Sequence, residues 1–221
     1  LDYYSSGSAG RAVCLQDKGD GTICKNVKML SYQDTYYSNN NGGKYYWEDS
    51  EIHGTVDFLC GGGDVYYNRC KFVVEKRSAD GKGGCTIAAP YTDGSKWGYV
   101  MNECVVDNYA ETFNYGRAWG GTPRLAYLNT TLLQPDMIIK DRFTVGGMNV
   151  PADKFVEFNT KDAQGNVISP ASNVLKFTKD NKVNEMETIL TADQAAEYAL
   201  DKVFPTWTPD GQGLYYCSAP A

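Results

Sequence analysis

Asp34 and Asp57 stand 23 residues apart, each 11 residues beyond the start of a seven-residue segment of one pattern, Ile23 to Met29 and Tyr46 to Ile52. A chain that winds with this period brings equal phases onto neighbouring strands, with backbones about 4.8 Å apart. Two carboxylates that close cannot both ionise cheaply, so one keeps a proton near neutral pH while the other stays charged. Such a pair supplies an acid and a nucleophile. Each aspartate reads equally as the closer of a turn, and only the shared phase favours chemistry. Arg11 falls on the same phase, 23 residues before Asp34, and is expected to stack beside it.

Other constellations are poorer. His53 is the single histidine, and seven cysteines without a CxxC pair leave a zinc site short of its usual ligands, so no metal is expected. The thiols read as a mixed, largely buried set. A serine triad would have to use His53, and no GxSxG elbow occurs; His53 reads as a solvated side chain. Gly61-Gly62-Gly63 has neither a following helix nor GK[ST], which makes it a tight turn rather than a phosphate cradle.

The elements that would position the aspartates come from a repeat. Ile23 to Met29, Tyr46 to Ile52, Tyr66 to Phe72, Val100 to Val106 and Tyr127 to Leu133 align without gaps, their starts 23, 20, 34 and 27 residues apart. The third position is polar (Lys25, Glu48, Asn68, Asn102, Asn129), the fifth mostly small (Val27, Ser50, Cys70, Cys104, Thr131), and the seventh apolar. Asparagine at the third position suits a left-handed bend, and the small fifth positions suit a narrow interior. Units of about 20 residues, too short for a helical crossover, predict a parallel β-helix. An antiparallel sandwich needs two-residue hairpins, which are scarce here. The polar stretch 75–84 reads as a loop inserted in the long interval. After Leu133 the rhythm stops. Residues 134–189 read as loops and short strands with turns at Pro151 and Gln164-Gly165-Asn166, and 190–204 as a helix. Thr191 with Gln194 forms its capping box, Ala195, Tyr198, Ala199 and Val203 lie near one face, and Pro205 ends it. The expectation is one all-β domain over 1–221, with coils to about 133 and a terminal piece packed on them.

Composition agrees. With 221 residues the chain can bury a sizeable core, and 23 glycines and 17 tyrosines favour strands and turns. The net charge is -6, and the longest basic cluster, Lys71 to Arg77, is interrupted by apolar residues, which argues against nucleic acid. No apolar run reaches the length of a membrane span, and no basic-then-apolar leader opens the chain at Leu1. A monomer is expected.

Tyr32-Gln33-Asp34-Thr35, Gly54-Thr55-Val56-Asp57-Phe58 and Gly116-Arg117-Ala118-Trp119 resemble, in order, the three signatures of the pectin methylesterases (pectinesterases). Weaker similarity runs from about Gly10 to Trp207. The resemblance implies a right-handed parallel β-helix that removes methyl esters from the galacturonates of pectin without a cofactor. It implies that Asp57 attacks the ester carbonyl, and that Asp34 protonates the departing methanol and then activates water. Gln33 would donate to the oxyanion, and Arg117 would hold Asp57 ionised and oriented. Trp119 would form a sugar platform, with Phe58 and Tyr37 as walls. A lone Gln33 reads equally as an interior amide, and the aromatics as core or surface. The backbone of Arg117 belongs two coils from Asp57, roughly 10 Å away, so its long side chain must reach back.

Three departures stand out. The family's second glutamine is replaced by Arg11, within Arg11-Ala12-Val13-Cys14-Leu15; a cation there donates strongly to an oxyanion yet favours ionised Asp34. We expect Arg11 to take over as oxyanion donor. Proline is replaced by Ala118, and no Gly-Trp pair is recognisable near Asp141-Arg142-Phe143, where a cleft wall would stand. The family's first coils and cap would precede Leu1. The substrate class implied is methyl-esterified homogalacturonan, hence a secreted or periplasmic location. The negative charge fits, since it repels the demethylated product. Rival readings are a sugar-binding β-helix that has lost activity, an esterase or thioesterase with another substrate, and a calcium-dependent lyase, for which two acids are too few.

Overall fold

The computed structural model describes residues 11–78, 80–145, 154–179 and 182–211. Three parallel sheets run along the molecule, and each of the first five windings contributes one strand to each sheet. The site sheet stacks Leu15–Asp17, Tyr36–Ser38, Val56–Gly61, Gly84–Thr92 and Thr112–Gly116, with Gly120–Gly121 beside the fourth. A second sheet stacks Thr22–Lys25, Lys44–Glu48, Asp64–Asn68, Tyr99–Asn102, Arg124–Leu128 and Lys154–Phe158. The third stacks Lys28–Leu30, Glu51–Gly54, Lys71–Val74, Val105–Asn108, Thr131–Leu132 and Lys161–Asp162. This is the expected parallel β-helix.

Alternation on these strands builds two cores. Tyr45, Trp47, Tyr67, Tyr99 and Met101 point into the coil, fully buried. Tyr46, Tyr66, Val100, Ala126 and Val156 point outward from the second sheet and are covered by Tyr198, Val203 and Phe204 of the C-terminal segment. The bend between second and third sheets places Asn26, Asp49, Arg69, Glu103, Asn129 and Asn159 at positive φ, all between 48° and 55°. The left-handed residue is therefore the fourth of the repeat, not the third. At the third position Asn68 and Asn102 instead stack their amides, Asn102 Nδ2 donating to Asn68 Oδ1 at 3.0 Å.

Register corrects two further expectations. Val100 pairs with Ala126, so the fifth segment is Ala126 to Leu132, one residue earlier than the sequence alignment has it, and Thr130 rather than Thr131 fills the interior beyond Cys70 and Cys104. The rhythm also continues past Leu133. Ala126 pairs with Val156, and Asn159 Nδ2 donates to Asn129 Oδ1 at 2.7 Å, which makes 154–162 a sixth coil. Val174–Lys179 and Lys182–Glu187 then form an antiparallel hairpin. The turn at Gly165 is present at φ 86°, with Gly165 N–H donating to Asp162 O. Pro151 and Cys217 lie outside the described residues; Cys14, Cys24, Cys60, Cys70, Cys85 and Cys104 are free thiols.

The capping box of Thr191 and Gln194 is complete in both directions. The helix it starts is not continuous: α1 (Ala192–Ala196) and α2 (Leu200–Val203) are separated by Ala199, which is extended at ψ 146°. The break lets Tyr198 turn inward against Trp97, ring centroids 5.2 Å apart, and leaves Ala199 exposed instead of on the packed face.

Candidate active site

Both aspartates sit where the third sheet turns into the site sheet. Tyr36 pairs with Leu59, a shift of 23, so Asp34 and Asp57 occupy the same level on adjacent strands. Each adopts a left-handed backbone, φ 60° and 52°, which Asp tolerates better than most residues. Asp57 is the extra residue of a β-bulge: Thr86 pairs with Val56 but Ala88 with Leu59. Bulges re-aim a side chain, and this one turns the carboxylate outward. Buried Thr35 fixes the neighbouring turn through its hydroxyl, which donates to the carbonyl of His53 at 2.8 Å.

Arg117 closes the constellation. It follows strand Thr112–Gly116, two coils from Asp57, and its N–H is anchored on Ala88 O at 3.0 Å. The side chain reaches back as a fork, Nε to Asp57 Oδ1 at 3.0 Å and Nη2 to Oδ2 at 2.5 Å. That two-point geometry matches an ionised carboxylate. Burial and the nearby Asp57 charge push Asp34 above the usual carboxylate range, against the opposing pull of Arg11, a hydrogen bond from the Gln33 side chain, and Arg117. Arg11 is paired through its backbone with Gln33, one residue off the expected phase, yet its Nε still lies 3.4 Å from Asp34 Oδ2. The reason is a shorter first winding: Leu15 pairs with Tyr36, 21 residues on, against 23 from Tyr36 to Leu59, and one extra residue between Arg11 and Leu15 brings the shift at Arg11 back to 22.

A groove of about 550 Å³ gathers Arg11, Gln33, Asp34, Tyr37, Asp57, Arg117 and Trp119. Tyr37 and Trp119 face one another with ring centroids 6.0 Å apart, and Tyr91 meets Trp119 edge-on at 5.4 Å. Phe58 does not join them. It is fully buried in the coil interior, because the bulge at Asp57 sends the next side chain inward. Gly54 makes room for it: a Cβ there would lie 2.1 Å from that of Phe58.

Val13, Gln16, Cys60 and Ala89 also line the groove and were not anticipated. A signal existed, since Gln16, Tyr37, Cys60 and Ala89 form one row of paired positions and Cys60 lies one 23-residue period after Tyr37. Burial pushes the Cys60 thiol up, so it stays neutral. Tyr91 was missed as well.

His53 is neither solvated nor in the groove. On the third sheet it is held between Glu75, Nδ1 to Oε1 2.7 Å, and Glu51, Nε2 to Oε1 2.5 Å. Burial lowers its pKa, but the two carboxylates outweigh that and raise it. Phe143 packs in the core and Arg142 pairs with Glu157, so 141–143 builds no cleft wall. A second hollow of about 490 Å³ beneath α1 and α2 has, among the described residues, Asp210 as its one carboxylate and no acid pair.

The pectinesterase family profile matches residues 3–148. The chain is 30% identical over 213 residues to pectinesterase A of Dickeya dadantii (strain 3937), covering 90% of this chain and 57% of that protein. A pectinesterase of Sitophilus oryzae is 29% identical over 151 residues, 63% of this chain and 39% of the other. Among solved structures, a pectin methylesterase variant in complex with a hexasaccharide superposes with a TM-score of 0.65 at 25% identity, over 88% of this chain and 60% of that one. Pectin methylesterase from Erwinia chrysanthemi gives 0.64 at 26% identity with the same coverage. The chain thus spans 57% of the length of the Dickeya relative. With its three motifs drawn into one groove, and with more than half of its residues matched by the profile, the chain belongs to the pectinesterase family.

Proposed function

We propose that this groove removes methyl esters from galacturonate units of pectin, releasing methanol and using no cofactor. The observation that carries the reading is the Arg117 fork on Asp57, with Asp34 level beside it and its carboxyl shifted toward the protonated form. An oxygen of Asp57 attacks the ester carbonyl, whose electron pair moves onto its oxygen. Gln33 and Arg11 donate to that oxyanion. Gln33 has two amide N–H groups, enough to keep Asp34 and serve the oxyanion together. Collapse breaks the bond to methoxide, which takes the Asp34 proton and leaves as methanol. Asp34, now a carboxylate, takes a proton from water as the hydroxide adds to the galacturonyl carbon; Asp57 departs as carboxylate and Asp34 is again an acid. Trp119 and Tyr37 hold the sugar, their rings lining the same groove. Pectin lies outside cells, so this reading places the protein outside the cytoplasm, acting as a monomer on homogalacturonan.

Methanol release from methylated pectin tests it. Asp57→Asn keeps the shape but removes the nucleophile, and turnover should fall by about 10⁴-fold or more. An active Asn variant overturns the nucleophile assignment. The ion pair of Arg11 with Asp34 favours a second reading, a sugar-binding β-helix with a weakened acid. Wild-type protein that binds methylated oligogalacturonides yet releases no methanol would establish that reading instead.

A further inference from the structure

The hollow beneath α1 and α2 contains a break between two runs of side-chain hydrogen bonds. Tyr46 gives its hydroxyl proton to Glu48 Oε2, so that oxygen accepts from Asn68 Nδ2, at 3.1 Å. The direction of the amides behind it follows: Asn68 Oδ1 takes the Asn102 Nδ2 donor at 3.0 Å, which leaves Asn102 Oδ1 as the next acceptor. From the other end, Asn159 Nδ2 donates to Asn129 Oδ1 at 2.7 Å, which leaves Asn129 Nδ2 as the next donor. The two runs do not join. Asn102 pairs with Leu128, and Asn129 stands one residue later, in the left-handed bend at φ 54°. Among the described residues, Asn102 Oδ1 and Asn129 Nδ2 thus lack a protein partner, and both side chains line the hollow.

The rest of the lining narrows what completes the run. Leu128 and Phe158 supply an apolar patch, and exposed Asp210 adds a carboxylate acceptor. No lysine, arginine or histidine lines the hollow among the described residues, so nothing there offsets the net charge of -6 in favour of an anion. An extended peptide would bind by adding to a strand edge, but Asp64–Asn68, Tyr99–Asn102 and Arg124–Leu128 beneath it are each paired on both sides. A sugar hydroxyl donates and accepts at once, so two neighbouring hydroxyls meet an acceptor and a donor side by side. A volume of about 490 Å³, apolar with a few convergent polar groups, suits one or two sugar rings.

We infer that this hollow is a binding site for a neutral sugar, whose adjacent hydroxyls bridge Asn102 Oδ1 and Asn129 Nδ2 while a ring face lies on Phe158. It shares no lining residue with the groove of Asp34 and Asp57, so the inference stands apart from the esterase reading. Its role is to hold a glycan at a second point, away from the groove.

The test titrates isotope-labelled protein with methyl β-galactopyranoside and follows the side-chain amide signals of Asn102 and Asn129 by NMR. Both should shift and saturate with a Kd of about 1 mM, the scale for a ligand of this size. Galacturonate, the same ring with a charge, should bind at least about tenfold more weakly at these signals. Asn129→Asp keeps the acceptor for Asn159, tolerates the same bend and removes only the donor; galactoside binding should weaken about tenfold. Ala196→Trp fills the hollow from an exposed helix position and should abolish the shifts at Asn102 and Asn129. The inference is overturned if neither signal shifts, if galacturonate binds there as well as the galactoside, or if Ala196→Trp leaves binding unchanged. Shifts produced by an acetylated tripeptide amide and not by the galactoside overturn it in favour of a peptide site. Absence of methanol release overturns the esterase reading alone and leaves this site standing.

Discussion

Two of the arginine–carboxylate pairs, Arg117 with Asp57 and Arg142 with Glu157, stand in opposite settings. Arg117 with Asp57 opens on the groove, the arginine side chain 31% exposed and the carboxylate 9%, in two-point contact. Arg142 with Glu157 is sealed, at 6% and 2%, with a single contact of 3.5 Å. Arg142 also donates to the carbonyl of Ile168, and Glu157 accepts from Thr160 at 2.7 Å. Burial pushes Glu157 up, whereas its ion pair and Thr160 pull the other way. What separates a reactive pair from a strut here is access and company. The groove pair has a second carboxylate beside it and room for a substrate, and the sealed pair has neither. The sealed pair ties the sixth coil to the segment that follows the fifth.

The sharpest way to break this contrast is to truncate both arginines. Arg142→Ala leaves Glu157 buried without its charge partner and should cost about 3–5 kcal/mol in denaturant unfolding, with kcat of the folded fraction unchanged. Arg142→Met with Glu157→Leu should recover most of that loss, since a buried ion pair gains little over apolar packing. Arg117→Ala should do the reverse: kcat down by about 10²–10³-fold, near 3–4 kcal/mol of barrier, with a stability change of about 1 kcal/mol because groove water can reach Asp57. If Arg142→Ala cut kcat as deeply as Arg117→Ala, the division between strut and site would collapse.

The cluster of Glu51, His53 and Glu75 sharpens the comparison on the third sheet, with a smaller effect. Lys28 and His53 hold the Glu51 carboxyl down at about 2. Because the folded pKa of His53 is raised, its stabilising contribution is complete below the unfolded value and is lost as pH rises through the folded one. Because that of Glu51 is lowered, its contribution is present above the unfolded value and is lost as pH falls toward 2. His53→Gln should flatten the alkaline fall in stability measured by unfolding at several pH values. It should leave the pH dependence of methanol release untouched, and a shifted activity profile would place His53 in the site's electrostatics.

The 23-residue phase made the aspartate pairing legible in the sequence because strand stacking converts equal phase directly into adjacency. Phase failed wherever coils differ by one residue. Arg11 was placed one position off because its winding is shorter, 22 residues to Gln33 rather than 23, and the fifth segment slipped because aligning Tyr127 with Val100 ignored the bend. The bend was the better anchor: Leu128-Asn129-Thr130 and Phe158-Asn159-Thr160 share it, and the second of these marks the sixth coil. Phe58 was misplaced because a strand's alternation is read without its bulges, and Asp57 lies in one. The reach of Arg117 was not legible at all, since it depends on how a side chain crosses two coils.

The finest effect separates the two ways Arg11 acts on the groove. Asp34 must carry its proton when substrate arrives, so kcat/KM falls as pH rises through its pKa. Burial and the Asp57 charge raise that pKa, and Arg11 is first among the groups that lower it. Removing the cation disfavours the ionised form, so Arg11→Gln should move the alkaline limb of kcat/KM to higher pH. Arg11 is mostly exposed, so salt near 1 M, where charges are screened within about 3 Å, should move the wild-type limb the same way and leave the variant nearly still. A limb that stays fixed in both comparisons means that the Arg11 charge is not felt at Asp34. In that case its contribution to the groove is confined to the ligands it binds.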